Sequence, residues 1–534
     1  MLQFNFSDFK LQLRRTALLA LYFLVGFSDN LALSFPMPTN KNYRLWLILI
    51  ALIITAYFIG LGTLPFLGPD EPRYAQVARE MFVRNDLVTP TLGGSNWFEK
   101  PALLYWLMIA GYQIFGVNEF AARFGSAICG LLTILTVYLL CRRVEKTINA
   151  GESTKNNLAF WALLVSASSV GLLAFSHAAT FDIVLTFPTT AALGCFFKFQ
   201  VSNSKHQIIA LAGFYFFIGV ALLAKGLVGA VLPIGIVFWY FVARFKMPSK
   251  MFLLSLLWGT LLACLTAAVW YAPMFLRHGR DFFNEFFLQQ QFARYTSNKY
   301  LHPEPFWFFW VILPALTLPW LPFLGAAIWD LFKTRISKSK VEGSSDNLFS
   351  ELRIFALVWT IVPLVFFTFS GSKLPGYILP ALPAALILAA TQVEQFTRGN
   401  HRRTLMLQIL AGLILFATPI SLVTFAANFA RQDTTKYLLA AAEGYGNAKV
   451  LNLHDINHSL EFYAAGRLVR LPDGKQWKFE GTREIWNYLN LSGDQIVLVL
   501  VPLEHEHQLY ETELFAAKRI ADNGAFALVA VTQK

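Results

Sequence analysis
The chain reads as a succession of apolar runs, most of them close to the roughly 20 residues that cross a bilayer as a helix. Spanning helices are predicted at 44–64, 121–141, 158–176, 183–200, 207–224, 226–243, 251–272, 306–329, 352–370, 376–394 and 404–425. With the end before the first span on the cytoplasmic side, the even-numbered connections emerge inside. Those connections carry Arg142, Arg143, Lys146, Arg244, Lys246, Lys250, Lys333, Arg335, Arg402 and Arg403, the bias expected of cytoplasmic loops. The opposite face receives the segment 65–120, the turns near 177–182 and 225, the loop 273–305 and the turn 370–377. Within GPDEPRYAQVAREM (68–81) and the residues just after it, Tyr74, Val77, Ala78, Met81 and Phe82 fall at helical spacing, and Arg73, Gln76, Arg79, Glu80 and Arg84 fall opposite. That pattern predicts a helix lying in the membrane interface. From 426 onward, short apolar runs such as VLNL and QIVLVLVP alternate with turns such as LPDG and LSGDQ, which predicts a small α/β domain over 426–534. The expected fold class is an α-helical polytopic membrane protein of about 11–13 spans with a small C-terminal extracytoplasmic α/β domain. Residues 1–43, with TALLALYFLVGF behind Lys10, Arg14 and Arg15, read as a non-catalytic cytoplasmic or interfacial extension.

Composition strengthens this picture. Of 534 residues, 56% are hydrophobic and 14% charged, against about 25% charged in soluble domains. The formal charge of +12 is spread between the apolar runs rather than gathered on one stripe, so nucleic acid is excluded as a partner. Cys129, Cys141, Cys195 and Cys264 lie in or beside apolar runs without a CxxC pair, which points to packing rather than disulfides or zinc.

The candidate chemistry collects on the non-cytoplasmic side. Asp70 and Glu71 open the amphipathic helix, where an N-cap and a favourable dipole are a sufficient local explanation. Glu99 and Lys100 precede a further apolar helix of marginal spanning length, Lys100 being either a snorkelling anchor or a compact cation for phosphate. Single polar residues then recur at outer helix ends: Asp182, Lys225, Arg294, His302, Ser372, Lys373 and Tyr377. Each alone reads as an anchor or cap. Gathered on one face beside lipid, they fit a cavity for an anionic lipid headgroup. LEHEHQLY (503–510) reads as a solvated face, because His505 and His507 at i, i+2 converge on a metal only along a strand.

GPDEPRYAQVAREM, WFEKPALLYW, LLAKGLVG, the FWFF run and FFTFSGSKLPGYILPALPA together resemble bacterial membrane glycosyltransferases of the GT-C type. The branch is that of the protein O-mannosyltransferase-like enzymes and the lipid A 4-amino-4-deoxy-L-arabinose transferases, and the likeness spans about 44–395. The resemblance implies a catalytic domain over 44–425 in the bacterial inner membrane, with periplasmic loops 65–120 and 273–305 and the active site on the periplasmic side. It implies a sugar donor carried on polyprenyl (undecaprenyl) phosphate, an acceptor that is lipid A or another envelope glycoconjugate, and a monomer among membrane lipids. A protein acceptor is the alternative, and a lipid flippase a more distant one. Asp70 would act at the catalytic centre with Asp182 as a second acid. Lys100, Lys225 and Tyr377, with Arg294, would hold the lipid phosphate, beside Glu71, Arg73, Tyr74, His302, Ser372 and Lys373 as further substrate-binding candidates. Glu99 matches a carboxylate that pairs with a histidine around a divalent metal in the aminoarabinose enzymes. Here the corresponding stretch reads FFLQQQFARY, and Gln290 and Gln291 are poor ligands in place of that acid and histidine.

Overall fold
The computed structural model describes residues 43–149, 156–202, 204–293, 304–336, 344–426, 428 and 430–533. Every predicted span appears as a helix or a pair of helices. In chain order these elements are α1 (Tyr43–Phe58), the amphipathic α2 (Asp70–Arg84), α3 (Leu103–Phe115), α4 (Glu119–Asn149), α5 (Leu158–Ala167) and α6 (Val170–Ser176). They continue with α7 (Phe181–Val201), α8 (Ser204–Lys225), α9 (Val228–Arg244), α10 (Lys250–Phe282), α11 (Phe308–Leu316), α12 (Leu321–Ile336), α13 (Ser344–Thr368), α14 (Leu382–Thr397) and α15 (His401–Ser421). Among the described residues, seven helices are long and apolar enough to cross a membrane, or nine if each of two bent pairs is one span. α1, α3 and α9 are apolar but shorter.

The two bent pairs correct the expectation of straight spans at 158–176 and 306–329. α5 and α6 meet at 53°, and α11 and α12 at 114°. Ser169 starts α6 by accepting from the Leu172 amide, so the chain caps a new helix rather than continuing the old one. Pro319 follows α11 and brings no N–H to extend it. The groups freed at the two breaks bond to each other. The Val170 amide donates to the Leu318 carbonyl at 2.9 Å, and Trp320 Nε1 donates to Ser168 Oγ at 3.1 Å. Tyr57 of α1 donates to the Ala167 carbonyl at 3.2 Å. Unpaired backbone is tolerated at membrane depth only where protein satisfies it in this way.

The C-terminal domain is α/β as expected. Its helices are α16 (Lys436–Ala441), α17 (Leu460–Tyr463) and α18 (Thr482–Ser492). After a small hairpin in the first loop, β1 (Thr91–Leu92) and β2 (Ser95–Asn96), the strands are β3 (Lys449–Leu453), β4 (Lys478–Phe479), β5 (Ile496–Pro502), β6 (Phe515–Asp522) and β7 (Phe526–Gln533). The sheet order is β4-β3-β5-β7-β6, parallel across the first three strands and antiparallel across the rest. β5 is apolar on both faces because both are covered. Val497, Val499 and Val501 pack toward Ile485 and Leu489 of α18, while Leu498 and Leu500 pack toward Leu438, Leu439 and Leu460.

This domain docks on the start of the membrane domain and changes the reading of α2. Rather than lying with one face free, α2 is covered on both. On the apolar side, Tyr74 packs against Tyr105 and Phe82 against Tyr112, both of α3. On the other, Arg79 donates to the Phe462 carbonyl at 2.9 Å and lies over the Phe462 ring. Tyr463 donates to Glu119 at 2.9 Å and accepts from the Phe66 amide at 2.8 Å, and Lys436 pairs with Glu119 at 2.6 Å. LEHEHQLY forms a 3-10 helix in which Glu506 is buried, not a solvated face throughout. The four cysteines are free; Cys129, Cys141 and Cys195 are buried in the packing and Cys264 is exposed.

Candidate functional site
The site forms where the first turns of α2 and α7, the end of α8 and the segment 370–377 come together. Asp70 does not cap α2. The helix begins at Asp70 with Pro69 before it, and Asp70 Oδ1 instead pairs with Arg73 of the next turn at 2.5 Å. Its second oxygen has no partner among the described residues. Arg73 also donates to the Pro69 carbonyl at 2.8 Å and faces the Trp97 ring. Burial works against its charge, but Glu99 and Asp70 outweigh that and raise its pKa. Glu99 therefore lies within electrostatic reach of the Asp70–Arg73 pair. Glu99 is bonded to Lys100 at 3.0 Å, and both side chains are nearly buried.

Asp182 and Lys225, read separately in the sequence, form a single ion pair. Lys225 is the last residue of α8, and its ammonium stands 4.3 Å from the centre of the Tyr377 ring. Gly376 lets the turn approach so closely that a Cβ there would overlap the Asp182 carboxylate. Tyr74 joins the two halves of the site, its ring packed edge-on to Phe181 at 4.9 Å, with Tyr105 beside both. Burial, then Glu99 and Asp70, push the Tyr74 phenol well above its ordinary value, so it stays protonated.

On the same turn as Tyr377, Lys373 is only 9% exposed and Ser372 is 1% exposed. Ser372 Oγ has no hydrogen-bond partner, and Lys373 has neither an ion pair nor a hydrogen bond among the described residues. Arg73, Lys100 and Lys225 each have a carboxylate partner, Asp70, Glu99 and Asp182. Lys373 is thus the site cation without a counter-charge among the described residues, next to an unsatisfied hydroxyl. The Lys373 Nζ is not sealed off as the Ser372 Oγ is, so its charge opens to the site, where an anion would pair with it.

Glu71 takes a different part from the one expected. It is turned into the protein, where Arg123 holds both oxygens at 2.9 and 2.7 Å and the amides of Ala179 and Leu67 donate to them at 2.6 and 2.9 Å. Arg123 spends its remaining donors on the carbonyls of Leu61, Leu64 and Pro65. With its carboxylate bonded on both oxygens, Glu71 fixes the approach of α2 to the loop before α7 and is a support of the site, not one of its faces. The sequence held a signal for this pair, since an arginine inside the predicted span 121–141 requires a buried partner. Arg294, His302 and the side chain of Gln291 lie outside the described residues. Gln290 Oε1 is buried without a partner, one Glu99 oxygen is bonded to Lys100, and no group of three His, Cys, Asp or Glu gathers among the described residues. The described residues do not make a metal donor set.

Comparison with known proteins agrees with this architecture. Residues 42–279 match the family model of dolichyl-phosphate-mannose-protein mannosyltransferase. The undecaprenyl phosphate-alpha-4-amino-4-deoxy-L-arabinose arabinosyl transferase 1 of Proteus mirabilis is 30% identical over 408 residues, 75% of this chain and 69% of that protein. The transferase 2 of the same organism is 29% identical over 364 residues, 67% of this chain and 61% of that protein, so the chain covers less than two thirds of this relative's length. Among solved structures, ArnT from Cupriavidus metallidurans bound to undecaprenyl phosphate superposes with a TM-score of 0.74 at 21% identity, covering 91% of this chain and 98% of the other. The apo oligosaccharyltransferase of Archaeoglobus fulgidus superposes with a TM-score of 0.50 at 15% identity, over 87% of this chain and 70% of the other. The fold is that of GT-C membrane glycosyltransferases, and the chain belongs to the family of the undecaprenyl phosphate-alpha-4-amino-4-deoxy-L-arabinose arabinosyl transferases.

Proposed function
We propose that the protein is a membrane glycosyltransferase that moves a sugar from a polyprenyl phosphate to lipid A or another envelope glycoconjugate at the periplasmic face of the inner membrane. The observation that carries this reading is Lys373, a nearly buried lysine whose ammonium has no counter-charge among the described residues, beside the unsatisfied Ser372 hydroxyl. One lipid phosphate would complete both, and the relatives are named for a donor of that kind.

The chemistry asks little of an acid catalyst. The bond between the sugar's anomeric carbon and the phosphate oxygen breaks, the polyprenyl phosphate leaves with the electron pair, and the acceptor oxygen forms the new bond. Phosphate is already a good leaving group, so the site has to stabilise the charge that gathers on it, a role for Lys373, Lys225 and Lys100. With a hydroxyl acceptor, the proton released goes to the free oxygen of Asp70. With an acceptor phosphate, no proton has to move, and Asp70 acts on the positive charge that develops at the anomeric carbon. Asp182, tied to Lys225, holds that ammonium at the Tyr377 ring rather than acting as an acid.

Asp70→Asn is expected to abolish sugar transfer in membranes while the protein is still made and inserted. Full activity in that variant would remove Asp70 from the mechanism. The match of residues 42–279 to a protein mannosyltransferase model favours protein as the second acceptor class. Mass spectrometry of lipid A and of periplasmic proteins from a deletion strain separates the two. A flippase would keep its polar groups near the midplane rather than at one end of the helices, and sugar transfer by purified protein in detergent eliminates it.

A further inference from the structure
The docked C-terminal domain brings a histidine to the catalytic edge of the membrane domain. His458 sits in the turn between β3 and α17, and nearly everything around it is tied down. Ser459 bonds to Asn457 through its amide at 3.0 Å and its hydroxyl at 2.7 Å, and it accepts from the Thr435 amide at 3.0 Å. The Asn457 amide donates to Asn452 at 3.4 Å, while Glu461 is held by Arg470 at 2.5 Å and by Gln476 at 2.8 Å. The helix that follows is pinned to α2 and α4 through Phe462 and Tyr463. In this rigid setting the His458 Nδ1 is buried and has no hydrogen-bond partner among the described residues. A buried ring nitrogen that the described residues leave unsatisfied, amid satisfied neighbours, has a hydrogen bond to offer.

The surroundings identify the side of the reaction. The charged groups that act on His458 are Arg73 and Asp70 from α2, with Glu461 and Asp455 from its own domain. Burial, then Arg73, lower its pKa from the ordinary value, so at neutral pH the ring is an uncharged donor and acceptor and not a second cation for the donor phosphate. The proposed phosphate-binding residue Lys373 stands on a different element, the turn before Pro375, and Asp70 is where the acceptor is activated. We propose that His458 is an acceptor-binding residue, its Nδ1 hydrogen-bonding to an oxygen of the acceptor glycan at Asp70, so that the C-terminal domain completes the acceptor half of the site. This rests on the glycosyl-transfer reading above.

The test uses the full-length protein in detergent micelles with lipid A as acceptor, and measures acceptor KM, kcat and polyprenyl phosphate binding separately. His458→Ala is expected to raise the acceptor KM about tenfold, the size of one lost hydrogen bond, with kcat and donor binding little changed. The amide nitrogen of asparagine overlays Nδ1 and that of glutamine overlays Nε2. His458→Asn should therefore stay near wild type and His458→Gln should behave like the alanine variant, a contrast that a merely structural role would not produce. Should the alanine variant fail to fold, the asparagine and glutamine pair carries the same test. An unchanged acceptor KM in His458→Ala, or equal behaviour of the asparagine and glutamine variants, overturns the inference while leaving the transferase reading standing. Donor binding without transfer to lipid A by the wild type overturns the lipid A acceptor, and this inference with it.

Discussion
Asp70 and Glu71 are neighbours in sequence with opposite fates, and helix geometry is the reason. A step of one residue turns about 100° around the axis, so one carboxylate faces the cavity and the other faces the protein. Glu71 meets Arg123, both almost wholly buried. Glu71→Ala would leave that guanidinium buried without its counter-charge, a loss of about 3–5 kcal/mol. The expected outcome is poor recovery of folded protein, read by size-exclusion in detergent and by thermal unfolding. Lys373→Ala has the opposite signature. Removing a cation that makes no ion pair or hydrogen bond among the described residues breaks no bond of the fold, so stability should hold, while polyprenyl phosphate binding weakens by about 10- to 100-fold, the range of one charge-assisted bond. Titration of donor binding alongside a melting curve checks both halves, and unchanged affinity removes Lys373 from the phosphate site. The residue types at this site were legible in the sequence, because ionisable groups at helix ends beside lipid stand out. Their pairing was not: nothing in SHAATFDIVLTF or LLAKGLVG says that Asp182 and Lys225 bond to each other, since that depends on how α7 and α8 pack.

At the level of elements, periodicity gave the location of nearly every helix but not what covers each face. The polar stripe of α2 predicts a face at the membrane interface, yet Arg79 bonds to another domain, and no local pattern encodes a partner almost 400 residues away. The docking makes a prediction. Tyr463→Phe removes the donor to Glu119 and the acceptor for the Phe66 amide, at a cost on the order of 1–3 kcal/mol for groups left unsatisfied. Faster amide exchange in α17 and at Phe66, with the β5 amides unchanged, is the expected result. The 3-10 turn that begins at Pro375 gives a second prediction. Gly376→Ala places a methyl group against Asp182, so the Asp182–Lys225 pair must shift and transfer should fall by at least tenfold with the fold retained, as measured by activity per folded protein.

For the whole molecule, the apolar runs, the basic loops and the composition change near residue 426 were enough to expect a polytopic helical domain followed by an α/β domain. The broken spans were not expected, because hydropathy averages over a window and passes smoothly through 158–176 and 306–329. What decides them is the hydrogen-bond pairing of one break with the other. Ser168→Ala would leave Trp320 Nε1 buried without an acceptor and should lower the melting temperature, whereas Ser255→Ala, at a hydroxyl away from the breaks, gives a reference for loss of a buried serine.

That reciprocal bonding also bears on biogenesis. The first break leaves the ribosome about 150 residues before its partner, as the positions of Val170 and Leu318 require. Until α11 and α12 arrive, the Val170 amide lacks its Leu318 acceptor and the Ser168 hydroxyl, bonded only to the Leu164 carbonyl of its own helix, has no Trp320 to accept from, so the early half of the chain cannot settle into its final bilayer position alone. A translocon-arrested chain ending before residue 304 should therefore stay extractable or chaperone-bound, and the second break, once inserted, acts as the latch that commits the first to the membrane.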